Sequence, residues 1–518
     1  MGVKSWASLL SELNPLRRYV HDHFSQLFAE QVSAHGESVV WPTGLSTQAD
    51  EVVDAWENGF IIYGVSNQIR HRLRPLTLGI ARYILQNSGD PSETIVRLHA
   101  FFRSLPSGEQ YFRLLAESPL LLASIVPPLL HSPAMTTLLK QSPHIIDCYV
   151  HEPWVYPEPF DSRFVRQADD YGERLERMRR FVNEHLYQLY LSFLNGTIDA
   201  DTFQQALSEL AEHSLELALS VVAENMNLDY VPITVIGMGK VALGRMSPLS
   251  DLDLIFVFDQ KQTTLELASR FVSRLQTAIS APMREGILYE LDTRLRPSSR
   301  CGGPTVRVDR FENHHLERSH TWEHIALAPS RVVAGNRAIE PDFNRIKAKL
   351  ISRPRNSQQL KHDAQKMWNR IAEHRVKPVG TDVMFSKLRE GGLMQAEYLA
   401  ACLVLKSGHA ITLESVELDF LLEQSDGSKE LANIIQFWRI QQLWERLLGH
   451  SELELSALPV NYAERLCKQS GVDSIAALIA KKQHCADKVQ SLMDNFFEGQ
   501  RLSKVALDEW LESKVDWV

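Results

Sequence analysis

The feature that most constrains this chain is a change of period at Val231. Upstream, residues 164–195 place Leu175, Met178, Val182, Leu186, Leu189 and Phe193 at spacings of three or four. That spacing lines one face of a helix. Gly196 is a stop, and Asp199 or Asp201 is an N-cap for a second helix. The second helix turns Phe203, Leu207, Leu210, Leu217 and Val221 inward and runs to about Asn225. From Val231 the sequence becomes β-rich in three short runs: Val231–Ile236 ending at Gly237, Asp253–Phe258 closed by Asp259, and Gly286–Asp292. A helical stretch over 264–281, with Leu267, Phe271 and Leu275 every fourth residue, separates the second run from the third. Strands divided by helices, inside an otherwise helical chain, predict a small α/β core at 231–340. The expected fold class is mostly α with that core embedded and helical domains on both sides. The expected domains are 1–95, an N-terminal helical region; 96–230, a helical lead-in; 231–340, the core; and 341–518, a C-terminal helical bundle.

A chain of 518 residues is long enough for three or four domains at roughly 150 residues each. With 44% hydrophobic and 23% charged residues it is neither disordered, collagenous nor a disulfide scaffold. The net charge of −9 argues against nonspecific nucleic-acid binding. Five scattered cysteines (Cys148, Cys301, Cys402, Cys467 and Cys485), without a CxxC pair, fit buried thiols in a reduced, cytoplasmic setting. The longest apolar candidate, Leu114 to Leu130, is broken by Glu117 and three prolines, so no membrane span is expected. The opening MGVKSWASLL lacks the apolar core of a signal peptide.

The chemistry concentrates in Gly237-Met238-Gly239-Lys240, Ser250-Asp251-Leu252-Asp253 and Asp292. Asp251 and Asp253 are two residues apart at a strand entry, which puts both carboxylates on one face. Like charges that close repel unless cations lie between them, and oxygen-only ligands suit magnesium. If the strand ending at Asp292 pairs beside the second, a third carboxylate joins. Three carboxylates hold two magnesium ions about 4 Å apart, the spacing of in-line nucleotidyl displacement. Gly237 and Gly239 let backbone amides approach a phosphate, and Lys240 adds a charge. Arg294 and Arg296 alternate just past Asp292 and are expected to face the triphosphate or the departing pyrophosphate.

These strings resemble a known family. GMGKVALGRMSPLSDLDLIFVFD (237–259) is similar to the signature of nucleotidyltransferases related to DNA polymerase beta, and more narrowly of glutamine-synthetase adenylyltransferase. LYELDTRLRPSSRCGGP (288–304) and HTWEHIALAPSRVV (320–333) resemble its later signatures in order and spacing. FFRSLPSGEQYFRLLAESPLLLASIV (101–126) resembles the helical lead-in to its C-terminal half, and GGLMQAEYLA (391–400) the start of its following helical domain. The resemblance implies a nucleotidyltransferase core that transfers AMP from ATP to a tyrosine of glutamine synthetase, releasing pyrophosphate. It implies direction set by a PII-type signalling protein and glutamine. Family members carry two such halves, and this chain matches the adenylylating one. Carried over, Asp251, Asp253 and Asp292 would be the catalytic metal ligands. Gly237, Gly239, Lys240 and Ser250 would meet the ATP phosphates.

Three departures stand out. The family's Leu-Gly-Gly is Val241-Ala242-Leu243, whose side chains would crowd the phosphate cradle. Its T-R-A-R is Ala328-Pro329-Ser330-Arg331, and its D-I-E-F is Gln395-Ala396-Glu397-Tyr398. Two further readings therefore stay open beside transfer: phosphorolytic removal of AMP on the same carboxylates, and a non-catalytic relative that only binds partners. Elsewhere, His314, His315, Glu317, His320 and His324 read as a solvated helix face or loop rather than a zinc site, since no H-E-x-x-H is present. Trp438 and Trp444 read as bundle core, and Arg174, Arg177, Arg179 and Arg180 as a wet face paired with Glu173, Glu176 and Glu184.

Overall fold

A computed structural model describes residues 41–57, 80–81, 84, 91–104, 126, 128–129, 131–148, 163–294, 303–373, 382–407, 428–449 and 453–497. Within them the chain is mostly helical around one small mixed sheet. Ahead of the sheet come α1 (Thr47–Glu57), α2 (Pro91–Ser104) and α3 (Pro133–Gln141), then the long pair α4 (Tyr171–Leu194) and α5 (Ala200–Asn225).

The long pair is cut to length by its caps. Asp170 accepts a hydrogen bond from the Glu173 amide at 2.9 Å and starts α4 there. Residues 163–166 are therefore a separate turn, not the first turn of a helix from 164. Gly196, at φ +72°, ends the helix in the left-handed region, which a residue with a Cβ rarely enters. Asp199, rather than Asp201, caps α5 by accepting from the Thr202 amide at 2.8 Å. Asp201 instead pairs with Arg245 at 2.9 Å.

The sheet follows: β1 (Thr234–Gly237), α6 (Gly239–Leu243), β2 (Leu252–Phe258), α7 (Leu265–Ser280), β3 (Leu291–Asp292), β4 (Val306–Arg307), α8 (Val308–Asn313), a π-turn at His314–Arg318, α9 (Thr321–Leu327) and β5 (Arg331–Gly335). Its order is β3-β2-β1-β5, with β4 pairing the far end of β2. β1 runs antiparallel to β2 and to β5, while β3 and β4 run parallel to β2.

Side-chain alternation divides the core. Leu254, Phe256 and Phe258 of β2 enter the main core with Phe271 and Leu275 of α7. Ile255 and Val257 enter a second, smaller core with Phe311 and with Phe343 and Leu350 of α10 (Glu340–Ser352). Asp251 and Asp253 share the odd-numbered register of Ile255 and Val257 at the strand's open end.

The third strand is shorter than the β-rich run 286–292. Its first residues spend their polar groups elsewhere. Gly286 O accepts from Arg179 Nε at 3.0 Å, and the Leu288 amide donates to Ile279 O at 2.9 Å. The strand proper is Leu291–Asp292, entered through Glu290, whose carbonyl accepts from the Leu252 amide of β2 at 2.9 Å.

Arg179 also departs from its expected wet face. It is fully buried on α4, and its guanidinium donates to Ala278 O at 2.7 Å and Ala281 O at 3.1 Å. The cation thus caps the carbonyl end of α7, where the helix dipole favours positive charge. Arg177 and Arg180 do pair along the helix, with Glu173 at 2.8 Å and Glu184 at 3.2 Å. Arg174 reaches across to Glu224 of α5.

Beyond α10 lie α11 (Ser357–Glu373), α12 (Leu393–Ser407), α13 (Ser428–Leu448), α14 (Val460–Gln469) and α15 (Ile475–Phe497). Trp438 and Trp444 of α13 are both fully buried, and the Trp444 indole donates to Gln469 Oε1 at 2.8 Å. Cys402, Cys467 and Cys485 are buried free thiols. No helix among the described residues is long and apolar enough to cross a membrane.

Candidate active site

β2 and β3 pair in a register that sets Leu252 opposite Leu291 and Asp253 opposite Asp292. Asp251 lies one step before β2, on the Asp253 side. One carboxylate oxygen from each of Asp251, Asp253 and Asp292 falls within 4.8 Å of the others. Three acceptor-only groups converge at one end of the sheet, Asp251 exposed and the other two partly buried.

The electrostatics follow from that crowding. Burial, and then the charges of Asp251 and Asp292, push the Asp253 carboxyl up to about 6, against the pull of Lys387 and Lys240. Asp292 is shifted the other way, chiefly because Arg294 clasps it with Nε at 3.0 Å and Nη2 at 2.5 Å from Oδ2. A divalent cation relieves repulsion of this kind, and an all-oxygen donor set suits magnesium. The residues present therefore fit a hard divalent ion.

The glycine turn lies against these carboxylates. The Met238 amide donates to Asp253 O at 2.9 Å. Gly239, at φ +52°, presses on the acid itself, since a Cβ there would stand 2.8 Å from Asp253 Oδ2. At Gly237 packing alone requires a glycine, since a Cβ there would meet Val333 at 2.6 Å. Lys240 donates to Ser247 Oγ at 2.7 Å, and Ser247 Oγ lies 2.8 Å from Ser250 Oγ. Desolvation, followed by the charge of Lys387, lowers the Lys240 ammonium to about 7.

Ala242 is fully buried, and Leu243 is partly buried against the main core. The backbone of this departing stretch is tied to the neighbouring helix. Arg331 fixes it there, donating to Ala242 O at 2.8 Å and Val241 O at 3.2 Å while pairing with Glu212 of α5.

Arg294 reaches the site as an 88% exposed side chain turned back onto Asp292. Arg296 lies outside the described residues. Sequence reasoning missed Lys387, Glu397 and Arg446, whose charges act on Lys240 from the segment before α12, from α12 and from α13. Arg446 also approaches Leu249 O at 3.5 Å. No spacing ties these residues to the aspartates, so only the fold reveals them.

The histidine cluster is not a solvated face. His315 is 2% exposed and His324 is 7% exposed. The π-turn adds a residue to the helical turn and rotates His315 inward, against Phe311 at 4.4 Å between ring centroids. Burial, then the nearby His314 and His324, lowers the His315 imidazole to about 3.

With this geometry in hand, comparison with known proteins is specific. Residues 109–346 match the family model described as glutamate-ammonia ligase adenylyltransferase. A protein of Agrobacterium fabrum named bifunctional glutamine synthetase adenylyltransferase/adenylyl-removing enzyme is 29% identical over 446 residues, covering 78% of this chain and 45% of that protein. The Rhizobium meliloti protein of the same name is 28% identical over 447 residues, with the same coverage of 78% and 45%. That of Mesorhizobium japonicum is 30% identical over 378 residues, covering 68% of this chain and 38% of its own length. The chain thus spans less than half the length of these curated relatives. Family model and relatives agree, and through residues 109–346 this chain is a relative of the glutamine-synthetase adenylyltransferases.

Proposed function

We propose that this chain is a nucleotidyltransferase that moves AMP from ATP to a tyrosine hydroxyl of glutamine synthetase, releasing pyrophosphate and so regulating nitrogen assimilation. The observation that carries the reading is the meeting of Asp251, Asp253 and Asp292 within 4.8 Å beside a glycine turn. In this reading the sheet and its flanking helices are a DNA polymerase beta-like nucleotidyltransferase core within the helical domains expected at 1–95, 96–230 and 341–518. A PII-type signalling protein is the proposed partner that sets direction.

Asp251, Asp253 and Asp292 would hold two magnesium ions, which polarise the α-phosphate and the attacking oxygen when bound. Lys240 and Ser250 orient the triphosphate, and Gly239 leaves the space between turn and carboxylate clear of a side chain. Lys387 and Arg446 add positive charge from the helical side, where negative charge develops on pyrophosphate. Arg294 must leave Asp292 before that carboxylate serves an ion, and its released guanidinium is then free for the leaving group. The bond between tyrosine oxygen and α-phosphorus forms as the α,β-bridging bond breaks, and the hydroxyl proton passes to solvent.

Incubation with α-labelled ATP, magnesium and glutamine synthetase tests the reading. Label on the synthetase, absent with Asp253→Ala, is the expected result. Release of ADP from adenylylated synthetase and phosphate, without forward labelling, would assign the removing direction instead.

A further inference from the structure

We propose that His314, His315 and Glu323 form a second metal site, for a borderline divalent ion of the zinc type. It is separate from the aspartate trio and independent of the reading above.

One ligand atom from each of the three residues lies within 4.8 Å of the others. The independent observation is His315: it is 2% exposed, and neither ring nitrogen has a hydrogen-bond partner among the described residues. A buried polar group left without a partner costs stability, so a buried imidazole with both nitrogens unpaired is a ligand in want of an ion. The His314 and His315 rings stand 88° apart with centroids at 5.0 Å. Glu323 is oriented from behind, because Oε1 accepts from the His320 amide at 3.1 Å while Oε2 lies 2.5 Å from His314 Nε2. That backbone hydrogen bond is the kind of outer support that fixes a ligating carboxylate.

Two imidazoles and one carboxylate are the donors that zinc takes, with a fourth position left for water. The all-oxygen trio at β2 selects hard ions instead. On binding, His314 takes the tautomer that carries its proton on Nδ1, which frees the Nε2 lone pair now facing Glu323, and both side chains become ligands. His324 stays outside the set, held by Ser319 Oγ at 2.7 Å. The ion would tie the π-turn to the first turn of α9, over the smaller core that covers one face of the sheet.

The test uses the full chain carrying Asp253→Asn, stripped with chelator and kept in excess magnesium so that the aspartate trio does not report. Zinc is titrated against a competing chromophoric chelator, and cobalt(II) is followed by its visible absorption. One zinc per chain is expected, with a four-coordinate cobalt spectrum and a rise in melting temperature on zinc addition. Adding His315→Gln should weaken zinc binding by at least about tenfold and abolish the cobalt bands. Glu323→Gln is the second variant, should His315→Gln fail to fold. Zinc binding undiminished in a folded variant, or no zinc bound at micromolar concentration before the second substitution, would overturn the proposal.

Discussion

Asp253 and Asp292 lie 39 positions apart in sequence and directly opposite one another on adjacent parallel strands. Arg294 steadies Asp292, so the crowding falls on Asp253, whose carboxyl is raised by burial and by the charges of Asp251 and Asp292.

The first expectation is that Asp253→Asn folds and loses transfer. A fall of about a hundredfold or more, equal to ~2.7 kcal/mol of barrier, should appear in α-labelled ATP assays. Circular dichroism should be unchanged, because Asp253 faces the open end of its strand.

The same variant should be more stable than the parent without metal. The folded Asp253 carboxyl sits at about 6, above its ordinary value, so its proton favours the fold. That contribution is present below the ordinary carboxylate range and is lost as pH rises through about 6. Urea melts at pH 8 should therefore favour Asp253→Asn by about 1–2 kcal/mol, allowing for partial exposure. The gap should close at pH 4 and on adding magnesium. A variant less stable at pH 8 would contradict that crowding.

Affinity for magnesium-ATP should be bell-shaped in pH. The acid limb reflects Asp253, which must ionise above about 6 to bind the ion. The alkaline limb reflects Lys240, whose charge fades above about 7 in the free protein. Calorimetric titrations from pH 5.5 to 8.5 check this, and Lys240→Met should remove the alkaline limb.

Arg179→Met should destabilise the protein by about 3 kcal/mol, since it strips buried carbonyls of their charged donor. Because Gly286 O is among those carbonyls, the effect should spread to the approach to β3 and weaken magnesium binding as well. Hydrogen exchange over 278–292 measures that spread. Arg180→Met on the exposed face is the control and should change stability by less than about 0.5 kcal/mol.

Ala242→Gly restores the family's glycine. It should not improve ATP affinity, because the Ala242 methyl is fully buried. It should instead cost about 1 kcal/mol of stability. A gain in affinity would show that the turn adapts when nucleotide binds.

The aspartates were legible because strand period and a third acidic strand end are local patterns, and β2 obeys them from Leu252 to Phe258. The bundle tryptophans were legible for the same kind of reason. Arg179 was not, because an arginine among glutamates reads as a wet face, and all but one of its acceptors are carbonyls about a hundred residues away. Backbone acceptors leave no mark on composition. Lys387 and Arg446 were hidden likewise, since they meet Lys240 only through the packing of helices beyond the sheet. His315 escaped because the histidine cluster was judged on the missing H-E-x-x-H motif, and the π-turn that faces its ring inward has no motif of its own.

The Arg179 cap carries one more implication. The third aspartate owes its place to a helix that precedes the whole sheet in the chain. A fragment cut at Val231 would contain every acid and lose the cation that shapes the route to Asp292. For anyone transplanting this chemistry onto a smaller scaffold, the long helical hairpin must travel with it.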